Sequence, residues 1–69
     1  MKRISVESTS LKSAGYSAKE QRLQVEFVNG TVYDYFGVPP VLHEALMMAG
    51  SKGSFFNAQV KERFRYERR

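Results

Sequence analysis

The feature that most constrains this fold is a hairpin pattern in the middle of the chain. From Arg22 to Phe27, apolar side chains alternate with polar ones, as in a strand with one buried face. Asn29-Gly30 follows, and both residues tolerate the positive φ that tight hairpin turns require. The chain then returns through a second alternating run. We therefore predict antiparallel strands at about 22–28 and 31–36.

The length of the turn decides which side chains of the second strand face the core. A two-residue loop pairs Val25 with Asp34 and turns Tyr33 and Tyr35 outward. A three-residue loop with a glycine bulge instead pairs Val25 with Tyr33, and Tyr35 then faces the core as well. We favour the three-residue loop, because the other register places the Asp34 carboxylate among apolar side chains, which is costly without a partner.

The segments around the hairpin predict one more strand and two helices. A strand is expected at about 10–16. Pro39-Pro40 suits the first turn of a helix at about 39–49, since the missing proline N–H would be unpaired there in any case. Ser54 can cap a second helix at about 54–66, in which apolar residues recur at every fourth position from Phe56.

These elements predict an α+β fold, with a three-stranded antiparallel β-meander followed by two consecutive helices packed on one face of the sheet. The 69 residues are predicted to form one domain, 1–69. No window approaches the run of about 18 apolar residues that a membrane helix needs. Together with the absence of cysteine and of an apolar leader, this pattern predicts a cytoplasmic protein with no membrane partner.

The formal net charge of +4 comes from the C-terminal part of the chain. Five basic and five acidic residues precede Ser51, and six basic residues face two acidic ones from there onward. Such a positive end is suited to a polyanion such as a nucleic acid. It is equally typical of a solvated helix end, where arginines favour the negative pole of the helix dipole.

The turn Ser51-Lys52-Gly53-Ser54 has the elements of an anion site: free N–H groups at a helix start, a glycine and a lysine. It lacks the spacing of a nucleotide-hydrolysing P-loop, and a simple helix–helix turn explains it too. Further polar and basic residues follow on the predicted second helix. The residues predicted to bind an anion or RNA are Lys52, Gly53, Ser54, Asn57, Lys61, Arg65 and Arg68.

Tyr33 and Tyr35 have two interpretations. Aromatic rings on a sheet can stack on unpaired bases, as in readers of single-stranded RNA. The alternative is that both are core or half-buried tyrosines with hydroxyls at the rim, which the favoured register supports.

No catalytic or metal chemistry is indicated. His43 is the only histidine, cysteine is absent, and no carboxylates cluster at ligand spacing, so we predict neither a metal site nor a cofactor. Ser51 or Ser54 as a nucleophile would need a base, and His43-Glu44 point to different sides of their helix. We predict that the chain is not an enzyme.

Several short segments, spread from about Val6 to Tyr66, match one family in order and spacing. They are Ser8-Thr9-Ser10-Leu11, Gly15-Tyr16, Leu23-Gln24-Val25-Glu26-Phe27 with Gly30, Tyr33-Asp34-Tyr35 followed by Val38-Pro39, Ala49 with Ser51-Lys52-Gly53, and Phe56-Asn57. This set resembles the KTSC domain, a short module at the C-terminus of some bacterial lysyl-tRNA synthetases and also a free-standing small bacterial protein. The resemblance implies a domain without an assigned activity, for which RNA binding is a suggestion that rests partly on the association with a synthetase.

We therefore predict a small non-catalytic RNA-binding module, acting on tRNA or single-stranded RNA through a basic C-terminal helix and the turn before it. The alternative is a protein-interaction module that docks through Met47, Met48, Phe55 or an exposed sheet edge. The sequence does not indicate an oligomeric state.

Overall fold

The computed structural model of the chain describes residues 3–6 and 10–69. Ser8 and Thr9, which contribute to the family resemblance, lie outside these residues.

Within the described residues, the fold consists of five strands and two helices. They are β1 (Arg3–Ser5), β2 (Leu11–Ser17), β3 (Arg22–Phe27), β4 (Val32–Phe36), α1 (Pro40–Met48), α2 (Lys52–Gln59) and β5 (Arg65–Arg68). All neighbouring strands are antiparallel, and their order across the sheet follows the chain from β1 to β5. The α+β class is confirmed. The three predicted strands correspond to β2, β3 and β4, and the sheet has two further strands at its edges.

The hairpin between β3 and β4 has the predicted three-residue loop. Val25 is opposite Tyr33, and Leu23 is opposite Tyr35. The Phe27 N–H donates to the Thr31 carbonyl at 2.9 Å, and the Gly30 N–H donates back to the Phe27 carbonyl at 2.9 Å. Gly30 has a φ of 90°, the left-handed conformation that a glycine bulge requires.

A second helix is present, but its predicted bounds of 54–66 are wrong. Helix α2 begins at Lys52, before Ser54, and its N-cap Ser51 makes no side-chain cap hydrogen bond. It ends at Gln59, since Val60 leaves helical geometry with φ −121° and ψ −48°. The chain then turns, and Arg65–Arg68 forms β5 along the edge of β4. Pairing supplies the N–H and C=O groups of β4 with partners that a longer helix would not have provided.

One face of the sheet packs against both helices and holds the core. Its buried apolar side chains come from β2, β3, β4, both helices and the segments that follow β4 and α2. They are Leu11, Ala14, Leu23, Val25, Tyr35, Val38, Leu46, Phe56 and Val60. Phe56 of α2 packs its ring against those of Phe27 and Tyr35, at centroid distances of 5.6 and 5.2 Å. The opposite face of the sheet is polar, and we call it the open face.

Within the described part of the chain, neither helix is long and apolar enough to cross a membrane.

Candidate functional site

An aromatic groove lies where β4, β5 and the end of α2 meet. It consists of two adjoining depressions of about 350 and 430 Å³, both lined by Tyr33, Tyr35 and Lys61. Phe64 and Tyr66 line the smaller depression, and Asn57 lines the larger one. We use the name aromatic groove for the surface formed by Tyr33, Tyr35, Asn57, Lys61, Phe64 and Tyr66.

The strand register brings the rings of the groove together. Tyr66 lies opposite Tyr35 on β5, and Arg68 lies opposite Tyr33, so these four side chains share one face of the sheet. The rings of Tyr33 and Tyr66 meet edge to face at a centroid distance of 5.5 Å. Tyr66 is 55% exposed, whereas Tyr33 is half-buried. The accessible ring surface is therefore provided mainly by Tyr66, with Tyr33 beside it.

Tyr35 forms the buried base of the groove and offers no ring face for stacking. It is 3% exposed, and its ring packs against Phe56 on the core side. Burial, reinforced by the neighbouring hydroxyls of Tyr33 and Tyr66, raises the pKa of Tyr35 to about 12. The stacking hypothesis for Tyr35 is thus wrong, because the register that supports it also places Tyr35 over the core.

Tyr66 was missed by sequence reasoning because it was assigned to a helix. Phe64, Tyr66 and Arg68 occupy alternate positions, the period of a strand, with charged residues between them. This alternation could have predicted a strand here. It competed with the four-residue spacing of Phe56, Val60 and Phe64, which is equally regular.

The turn before α2 is a junction between the two helices. The Lys52 ammonium donates to the Ala49 carbonyl at 3.0 Å, Gly53 is buried, and the Phe55 N–H donates to the Ser51 carbonyl at 3.0 Å. Ser54 is exposed on the helix surface. The burial of Gly53 does not fit the predicted approach of a phosphate to this glycine.

The structure divides the other predicted residues between two faces. Asn57 and Lys61 are exposed in the aromatic groove, and Arg68 lies opposite Tyr33 on β5. Arg65 lies on the open face, where its guanidinium sits 5.0 Å from the centroid of the Phe36 ring. Lys52, Gly53 and Ser54 belong to neither surface.

The residues predicted for protein docking are also separated. Met47 and Phe55 are partly buried against the core, while Met48 is 86% exposed. Val41, which sequence reasoning did not single out, is 70% exposed on the same helix.

His43 packs in the structure without forming a metal site. Its ring stacks on that of Tyr16 at a centroid distance of 4.6 Å and an interplanar angle of 7°. Burial lowers the pKa of His43, an effect that the Glu44 carboxylate partly opposes. Across residues 3–6 and 10–69, no three histidine, cysteine or acidic side chains come together to hold a metal ion.

Sheet, helices and groove together define the class of this protein. It is a small α+β domain in which a five-stranded antiparallel sheet packs two short helices on one face and places an aromatic groove beside them. The family model of the KTSC domain matches residues 7–64. The chain belongs to the KTSC domain family.

Known relatives include both free-standing proteins and parts of larger ones. A small uncharacterized protein of Stutzerimonas stutzeri is 45% identical over 69 residues, covering 99% of this chain and 97% of its own length. A lysine–tRNA ligase of Nostoc punctiforme is 44% identical over 61 residues, which cover 88% of this chain but 11% of the ligase. The crystal structure of a KTSC domain protein from Yersinia pestis matches with a TM-score of 0.94 and 35% identity, covering 99% of this chain and 96% of that one.

Proposed function

We propose that this domain binds RNA, with unpaired bases stacked in the aromatic groove. The observation that carries the proposal is the contact of the exposed Tyr66 ring with the half-buried Tyr33 ring, with Lys61 lining the same depression and Arg68 opposite Tyr33 on β5. Aromatic rings beside cations on a sheet are the means by which many proteins hold single-stranded nucleic acid.

The chemistry of the groove suits a single strand. Base stacking on an aromatic side chain contributes about 1 to 3 kcal/mol per base and needs no particular base. Lys61 and Arg68 can neutralise backbone phosphates, and the amide of Asn57 can donate and accept hydrogen bonds at a base edge. Glu62 also lines the smaller depression, so a phosphate is expected on the side of Lys61 and Arg68 and away from that carboxylate.

Relatives support RNA as the ligand class. The matched region of the Nostoc protein is a small part of a lysine–tRNA ligase. This support is an analogy between proteins, and the physical case is made by the groove.

The experiment is a titration of fluorescently labelled single-stranded RNA and of tRNA with the domain, followed by anisotropy at several salt concentrations. Binding at low salt that weakens as salt rises is expected. Tyr66→Ala should weaken binding by about tenfold, whereas Tyr66→Phe, which keeps the ring, should bind like the native chain.

Two charge variants at the groove should change RNA affinity in opposite directions. Lys61→Gln should weaken binding, while Glu62→Gln should strengthen it, because the first removes an attraction and the second a repulsion. Arg63→Gln is the matched control, since Arg63 is exposed and lines neither depression. Absence of binding at low salt, or equal binding by the native chain, Tyr66→Ala and Lys61→Gln, would contradict the proposal.

A protein-interaction role is the second candidate, favoured by the exposure of Val41 and Met48. These residues are seven positions apart on α1 and therefore lie on one side of that helix. Sedimentation at increasing protein concentration, with Met48→Lys for comparison, tests whether this side mediates self-association.

A further inference from the structure

The open face of the sheet holds a trough whose charged lining consists of arginines. Its volume is about 490 Å³, within the range of small-molecule sites in proteins. The four arginines are Arg3, Arg22, Arg68 and Arg69, and we call this site the arginine trough.

The arginines come from distant parts of the chain. Arg3 lies on β1 at one edge of the sheet, Arg22 on the central strand β3, and Arg68 and Arg69 at the other edge. Only the complete sheet brings them to one surface. Sequence reasoning missed the trough for this reason, although the polar positions of β3 indicated that its second face is not part of the core.

Two of the four arginines have carboxylate partners, since Arg22 pairs with Glu20 at 3.4 Å and Arg69 pairs with Asp34 at 3.4 Å. Asp34 is 5% exposed on the open face, where its carboxylate accepts a hydrogen bond from the Gln24 amide at 2.9 Å and pairs with the Arg69 guanidinium at 3.4 Å. Glu26 accepts a hydrogen bond from Ser13, and Glu67 lies opposite Asp34 on β5. None of these carboxylates lines the trough, and the charged residues among its described lining are the four arginines.

Arg22 combines one buried nitrogen with a partly exposed side chain that lines the trough. Its Nε is shielded from solvent and has no hydrogen-bond partner, although the Glu20 carboxylate forms an ion pair with it at 3.4 Å. A buried donor of this kind is uncommon in folded proteins. The Arg22 side chain is 25% exposed, so a bound oxyanion could accept from the outer N–H groups of its guanidinium, which presents several donors in a fork that matches such oxygens.

We propose that the arginine trough binds a phosphate group carried by a small molecule. The proposal does not rest on RNA binding, because Arg22 and Arg69 line the trough and neither depression of the aromatic groove, although Arg68 lies at the boundary between the two surfaces. Phosphate is the ligand chemistry favoured by four arginines without a lysine, since planar guanidinium groups bind tetrahedral oxyanions bidentately. The phosphate could come from a free inorganic anion or from a nucleotide, which share this chemistry.

The test is a titration of the isotopically labelled domain with inorganic pyrophosphate, adenosine 5′-monophosphate and adenosine, followed by backbone amide NMR shifts. Both phosphate-bearing probes should shift amides around the trough, and adenosine should not. The tighter of the two phosphate probes identifies the source. Failure of both, or equal shifts with adenosine, would overturn the proposal.

Variants distinguish a specific binding site for pyrophosphate from general electrostatic attraction to a positive protein. Arg22→Gln should weaken pyrophosphate binding by about tenfold, and Arg22→Lys, which keeps the charge without the fork, should also weaken it. Arg63→Gln removes the same charge outside the trough and should change affinity by less than about twofold. Equal loss in Arg22→Gln and Arg63→Gln would overturn the proposal.

A variant that is expected to strengthen pyrophosphate binding excludes loss of structure as the cause of the weaker binding in the other variants. Asp34→Asn keeps the shape of the side chain and an acceptor for Gln24, and it frees Arg69 from its ion pair. Pyrophosphate binding should therefore tighten several-fold, an outcome that partial unfolding could not produce. Unchanged or weaker binding in a folded Asp34→Asn domain would contradict the role of Arg69. Arg68 is left intact in all variants because it also lies opposite Tyr33 near the aromatic groove.

Discussion

Tyr35 and Tyr66 lie directly opposite each other on β4 and β5, with ring centroids 5.5 Å apart and ring planes tilted by 34°. One ring is almost fully buried and the other is mostly accessible. The pair thus connects the core to the surface of the aromatic groove. Substitution of the two residues should therefore change the free energy of unfolding by different amounts.

Loss of the Tyr35 ring should be much more costly than loss of the Tyr66 ring. Truncating a buried aromatic residue to alanine typically costs about 3 to 5 kcal/mol, and Tyr35→Ala should lower the free energy of unfolding by about that amount. Tyr66→Ala should cost less, since its ring is already 55% exposed. Urea denaturation of both variants measures this difference, and equal losses would show that Tyr66 is also a core residue.

Alkaline pH should destabilise the domain through Tyr35. Its folded pKa of about 12 lies above the ordinary value of 10.0, so the unfolded chain loses this proton first. The stabilising contribution is fully present below pH 10 and is lost as pH rises toward 12. Denaturation measured across this window should show a smaller loss for Tyr35→Phe than for the native chain. An identical pH dependence would contradict the assignment to Tyr35.

Mildly acidic pH should destabilise the domain through His43. Its folded pKa lies below the ordinary value of 6.5, because the ring is buried against Tyr16. The unfolded chain therefore takes up the proton first, and the stabilising contribution declines as pH falls below 6.5. An NMR titration of the His43 ring gives its pKa directly. His43→Gln should remove this part of the pH dependence, and a native ring pKa above 6.5 would contradict the structural account.

The hairpin bulge should make Gly30 far less replaceable than Gly50. A side chain at Gly30 meets no atom within 4 Å, so Gly30→Ala is free of clashes and its cost comes from the φ of 90°. A cost of about 1 to 2 kcal/mol is expected for that conformation. Gly50 also has open space around it but no positive φ, so Gly50→Ala should be close to neutral. Thermal unfolding of the two variants provides the comparison.

The hairpin register could be predicted from the sequence, but the physical reason was incomplete. The cost of burying Asp34 favoured the three-residue loop, and that loop is present. Asp34 is nevertheless buried, on the open face, where Gln24 and Arg69 supply the partners that make its burial tolerable. Arg69 is distant in sequence, so no local pattern could have indicated this arrangement.

The end of α2 could not be predicted from the sequence, because Phe64 fits both a helical and a strand spacing of apolar residues. Phe64 continues the four-residue spacing of Phe56 and Val60, and it also begins the alternation that leads to Tyr66. The choice depends on whether β4 has a free edge to pair with, which is a property of the assembled sheet. Predicting a strand here would have placed Tyr66 and Arg68 beside Tyr33 and separated both from Arg65.

The attachment of β5 to β4 implies an order of assembly. Strands β2 to β4 are joined by short turns, whereas β5 pairs with β4 only after a connection on the order of 30 residues has closed, which carries a larger entropic cost. All four side chains of β5 are exposed, so little burial holds it in place. We expect the amides of β5 to exchange with deuterated solvent before those of β3. Since Tyr66 comes with this strand, the groove opens whenever β5 detaches, and a ligand held there would slow that exchange.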